Sequence, residues 1–195
     1  MMFRMVIMLP DYIAHIRSNG EIQTCTEHCR NTAGLARIFM DDIKLGSSAY
    51  LAGLLHDAGK FTPEFNNYIR DAVNATANTG RVIHSFAGPY CLLNAYHNNS
   101  KELGYSEITS EIVSAAIASH HGLMDCIDDC GNNGFEKRRT KQPEYEKKAL
   151  SEFKRLCADD TEIDELFKQS IIEISAKLKL LQEVKSKFVC KLLSV

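Results

Sequence analysis

Five histidines and one aspartate carry the chemistry available to this chain: His28, the adjacent pair His56-Asp57, His84, and the tandem pair His120-His121. Imidazole is the commonest protein ligand for transition metals, and a carboxylate beside it offers an oxygen to each of two ions. The chain has only 7 histidines, so this set takes in all but His15 and His97. Any one of them alone would be an ordinary core or surface residue. Two pairs, each falling at the end of an apolar helix, together with His28 and His84, are not explained by packing. A carboxylate shared by two ions roughly 3.5–4 Å apart is the arrangement of two-metal hydrolases.

The elements that must position these side chains read as helices. An irregular or extended arm over residues 1–23, with a turn at Asn19-Gly20, leads into a helix from Thr24 to Ile43 whose inner stripe is Cys25, Cys29, Ala33, Ala36 and Met40. His28 lies beside that stripe. Ser47-Ser48 can cap a helix from Ala49 to Asp57, and its unbroken apolar run Tyr50–Leu55 predicts deep burial, with Gly59 ending it. Thr62-Pro63-Glu64 opens a third helix, Glu64 to Val73, followed by a loop over 74–80. A fourth helix is predicted from His84 to Asn98 and a fifth from Ser106 to His121, stopped by Gly122. A loop over 128–143 precedes helices at Glu144–Cys157 and from Glu162 to near the end. No sustained strand alternation and no repeat are present. The class expected is all-α, in a single domain over 1–195.

Composition narrows the partners. A net charge of −2 gives no global basic field for nucleic acid; the local run Lys137-Arg138-Arg139-Thr140-Lys141 reads as a solvated loop or a small patch. The 7 cysteines are odd in number and lack a framework spacing. Cys25/Cys29 and Cys126/Cys130 read as buried thiols on helix faces rather than zinc knuckles, and a reducing cytoplasm is expected. The apolar run Met5–Leu9 ends at Pro10, and no stretch approaches the ~20 apolar residues of a membrane span.

Leu51-Ala52-Gly53-Leu54-Leu55-His56-Asp57-Ala58-Gly59-Lys60 resembles the signature of the HD phosphohydrolase superfamily. Combined with Tyr12-Ile13-Ala14-His15, Thr26-Glu27-His28, His84-Ser85 and Ser119-His120-His121-Gly122-Leu123, it is similar to one branch, the HD nuclease domain of the CRISPR-associated type I helicase-nuclease family. The resemblance covers about Ile13 to Asp125 and extends loosely to the end. It implies an HD-type helical bundle with a metal centre between its helices. One metal would be held by His28, His56 and Asp57, and a second by Asp57, His84, His120 and His121, with Asp57 bridging. Asp57 and Lys60 would be the catalytic pair, Lys60 offsetting charge at the scissile phosphate. Ser85 would orient the phosphate or a water, or else cap the helix at His84. His15 reads as a packing or supporting residue, and His97 as a surface residue.

The family's late aspartate, which completes the first site, is not matched: Phe188–Val195 resembles the stretch leading up to it, and Glu183 is not at the equivalent position. The chain therefore reads as the N-terminal part of a longer helicase-nuclease, its first site weaker than its second. Imidazole-rich ligands suit manganese, iron, nickel, cobalt or zinc better than magnesium, with up to two ions expected. The implied activity is metal-dependent hydrolysis of single-stranded DNA in CRISPR interference, with a helicase in cis or trans and a crRNA-guided surveillance complex as partners, and no membrane. The alternatives are an HD nucleotidase, for which His84, His120 and His121 would be surplus, a cyclic-dinucleotide phosphodiesterase, whose Gly-Tyr-Pro motif is missing, or a metal-binding fragment of weak turnover.

Overall fold

A computed structural model of the chain describes residues 12–74, 82, 84–97, 104–122, 134–139 and 141–193. Cys126, Cys130, the apolar run Met5–Leu9, the loop 75–80 and the side chains of Phe188–Val195 lie outside the described residues.

The described chain is an all-α bundle with one small hairpin. Strands β1 (Ile13–Ile16) and β2 (Ile22–Thr24) pair antiparallel with a bulge between Ile13 and His15, and Gly20 takes the left-handed φ of 85° that closes the turn. The described part of the arm is thus extended, as one of the two readings had it, with its turn at Asn19-Gly20, and the pairing of its two strands is what the sequence left unread. Its strands are of 4 and 3 residues, too short for period-two alternation to be read from sequence.

Helix α1 (Cys25–Asp41) begins at a capping box: the Glu27 N–H donates to Thr24 Oγ1 at 3.2 Å and the Thr24 N–H to Glu27 Oε2 at 3.1 Å. It buries Cys25, Cys29 and Ala33, spaced one turn apart, against α2 (Gly46–Leu55). The two helices approach so closely that a Cβ on Gly53 would lie 2.8 Å from the Ala33 Cα. Glu173 caps α2 from a distance, accepting the N–H groups of Ser47 and Ser48, each at 2.8 Å. A 3₁₀ turn (Ala58–Lys60) follows α2 and leads to α3 (Pro63–Asn74), where Thr62 Oγ1 accepts the Phe65 N–H at 3.1 Å.

Helix α4 (Ala87–Leu92) starts three residues later than expected and passes into a π-helical turn at Leu93–His97. Helix α5 (Gly104–Ala118) ends just before His120-His121. The remaining helices are α6 (Gly134–Arg139), α7 (Pro143–Leu156) and α8 (Asp160–Leu193). The core is formed by Leu51, Leu54, Leu55, Phe61, Leu92, Ile117, Phe153, Ile163 and Phe167. Helix α8 packs at the ends of α2 and α5 that are remote from their histidines: Glu173 sits at the start of α2, and Lys179 lies 5.6 Å from the ring of Tyr105 at the start of α5. No helix among the described residues is long and apolar enough to cross a membrane.

Candidate metal centre

The C-terminal ends of α2 and α5 converge, and the start of α1 and the turn before α4 close around them. His28 comes from the end of the first turn of α1, His56 and Asp57 from the exit of α2, His84 from the turn before α4, and His120 and His121 from the exit of α5. Two overlapping ligand groups result. His28, His56 and Asp57 form one and Asp57, His84, His120 and His121 the other, with the donor atoms of each within 4.8 Å of one another.

Asp57 is the shared member and is 2% exposed. Its Oδ2 lies 3.0 Å from His28 Nε2, 3.1 Å from His56 Nε2 and 2.9 Å from Lys60 Nζ. Its Oδ1 faces the other way, 3.5 Å from His84 Nε2 and 3.6 Å from His120 Nε2. Burial pushes this carboxyl up, but the imidazoles of His120, His28 and His56 outweigh it and hold Asp57 well below the usual carboxylate range.

The imidazoles are oriented from behind. His56 Nδ1 donates to the Gly53 carbonyl at 2.8 Å, His120 Nδ1 to Ile117 at 2.6 Å and His84 Nδ1 to Val82 at 3.2 Å. A carbonyl only accepts, so each of these rings carries a proton on Nδ1 and turns Nε2 inward as the nitrogen left to bind an ion. His28 and His56 meet Nε2 to Nε2 at 3.1 Å, and His84 and His121 at 3.0 Å. Asp57 Oδ1 and His120 Nε2 are buried with no hydrogen-bond partner. Converging Nε2 atoms, two buried polar atoms without a partner and one anionic carboxylate fit a divalent cation, and imidazole-dominated donors fit a transition ion better than magnesium.

The other predicted residues fall around this core. Lys60 is buried at 5% exposure against Asp57, with its ammonium 5.3 Å from the Phe65 ring, so it is no solvated helix-end cation. His15 lies on the hairpin at the rim, its ring 4.7 Å edge-on from that of His28. Ser85 caps no helix; its hydroxyl accepts from Arg138. His97 is at the surface with Glu111, at 3.0 Å. Among the described residues α8 adds no carboxylate to either group. An apolar cavity of about 380 Å³ abuts His56 and His120 on the side of Ala52, Ala116 and Ile117.

Two supporting residues had no legible signal in the sequence. Tyr145 donates to the Gly59 carbonyl at 2.7 Å and lies 3.1 Å from Thr62 Oγ1, holding the turn that carries Lys60. Arg138, from the basic run read as a solvated loop or a small patch, turns inward, whereas Lys137 is exposed.

Compared with known proteins, residues 26–159 match the family described as HD domain. No curated protein matches the chain.

Proposed function

Because the chain belongs to the HD domain family of metal-dependent phosphohydrolases, we propose that its centre hydrolyses phosphodiester bonds of single-stranded DNA, as the nuclease part of a CRISPR type I helicase-nuclease. The carrying observation is Asp57, whose two oxygens face different ligand groups. Bound divalent ions would supply Lewis acidity to the phosphate and make a water nucleophilic at neutral pH.

The chain's own residues do the rest. Asp57 would join the two sites, with His28 and His56 on one side and His84, His120 and His121 on the other. The carbonyls of Gly53, Val82 and Ile117 keep the imidazoles in the metal-binding tautomer. Lys60 holds a buried positive charge 2.9 Å from Asp57, where it can offset the charge that builds on phosphorus oxygens in the transition state. His121 lies at the more open edge of the centre, the side from which a strand can approach. A helicase and a crRNA-guided complex would deliver that strand.

A nucleotidase using a His/His-Asp group alone would leave His84, His120 and His121 without a task. A second reading, metal binding with weak turnover, is favoured by the three-ligand group on the His28 side. The deciding assay incubates the chain with manganese and circular single-stranded DNA beside mononucleotides and cyclic dinucleotides. Degradation of the circle, abolished by Asp57→Ala, is expected. Turnover of nucleotides alone would overturn the nuclease reading, and metal binding without turnover would favour the weak fragment.

A further inference from the structure

Helix α6 touches both segments that carry the four-ligand group. Its Phe135 packs edge-on against Phe86, ring centroids 5.1 Å apart, in a small apolar cluster with Ala118. One turn on, Arg138 spans the two segments that carry the ligands. Its Nη2 donates to the Ser85 hydroxyl, immediately after His84, and its Nη1 donates to the Ala118 carbonyl at 3.2 Å, two residues before His120. The guanidinium also lies over the Phe86 ring, 5.9 Å from its centroid.

The α5 exit and the turn before α4 are separate pieces of chain, and their ligands must keep a fixed separation to share an ion. A planar guanidinium with its donors in a rigid fork is suited to fix that separation, and a lysine is not. Ser85 and Ala118, whose hydroxyl and carbonyl it holds, are both buried, which limits the access of water to these two acceptors. The His28 group has no comparable link to α6 among the described contacts.

We propose that Arg138 is a positioning residue for the four-ligand site: by tying Ser85 to the end of α5 it sets the distance between His84 and the His120-His121 pair. The inference rests on the two-group reading above, and it assigns Arg138 of the basic run a structural part in the centre.

The test measures manganese(II) binding by equilibrium dialysis in two backgrounds. In His28→Ala, which leaves the four-ligand site, Arg138→Ala is expected to weaken binding by roughly 10–100-fold, the usual cost of removing an outer partner of a metal site. In the double variant His120→Ala/His121→Ala, which reduces the four-ligand group to Asp57 and His84 and leaves the His28 site, Arg138→Ala is expected to change nothing. Arg138→Lys should behave as Arg138→Ala does. Thermal melts of the metal-free proteins report on folding, and if Arg138→Ala does not fold, Ser85→Ala cuts the same link and must give the same differential. Equal loss in both backgrounds, or no loss in His28→Ala, would overturn the proposal. Wild-type chain binding fewer than two ions would instead overturn the two-group reading.

Discussion

His84 and His121 face each other Nε2 to Nε2 at 3.0 Å, although the second nitrogen of His84 is already committed to the Val82 carbonyl at 3.2 Å. The His84 lone pair therefore points into the centre. Burial first of all holds its pKa down to about 4, against the opposing pull of Asp57, so the ring stays neutral and able to ligate through the physiological range. His56 and His120 are locked in the same tautomer by Gly53 and Ile117. The fold has set the rings before any ion arrives.

The closest backbone approach in the centre lies behind His84. A Cβ on Gly59 would sit 2.0 Å from the His84 carbonyl oxygen and 2.8 Å from its Cα. Gly59→Ala must push the His84 segment outward. We expect a stability loss of about 1–3 kcal/mol, typical of overpacking, and weaker manganese binding in the His28→Ala background. Calorimetric unfolding and metal titration check this, and wild-type behaviour in both would contradict it.

Lys60→Met keeps the length and apolar contacts of the side chain and removes its charge. Folding and manganese binding should persist, while kcat on single-stranded DNA should fall by about 10²–10³-fold, the scale of losing one preorganised charge partner of the transition state. Steady-state kinetics decide it. A change confined to KM would place Lys60 in substrate binding alone.

Glu146 is a carboxyl buried at 3% exposure with Oε2 unpartnered. Burial pushes its pKa up to about 8 from 4.5, with Arg138 opposing. A raised acid pKa contributes its full stability below 4.5, and that contribution is lost as pH rises through 8. Glu146→Gln should therefore match the parent at pH 4 and become progressively more stable than it up to pH 8, by on the order of a few kcal/mol. Denaturant melts across that range test it; parallel curves for parent and variant would contradict it.

The candidate ligands were legible because metal chemistry restricts residue type: five histidines and Asp57 stood out before any fold was known. The helices carrying them were legible from apolar spacing, but the cap read at Ser47-Ser48 is not formed: α2 begins at Gly46 and Glu173, distant in sequence, accepts the Ser47 and Ser48 N–H groups. What was not legible depends on contacts distant in sequence. Helix α4 begins at Ala87 rather than His84, in a stretch where the His84 backbone packs against Gly59. Arg138 is inward because Phe135, one turn away, docks on Phe86; a run of four cations among five residues gives no hint of which one turns in. The hairpin holding His15 is too short to carry a pattern.

The central claim is that Asp57 serves two metal sites at once, and counting manganese(II) ions per chain in wild type and in Asp57→Ala tests it most directly. Two ions in the wild type, with both weakened together by the one substitution, is the predicted result. Loss of a single ion in Asp57→Ala, with the other bound as tightly as before, would contradict it.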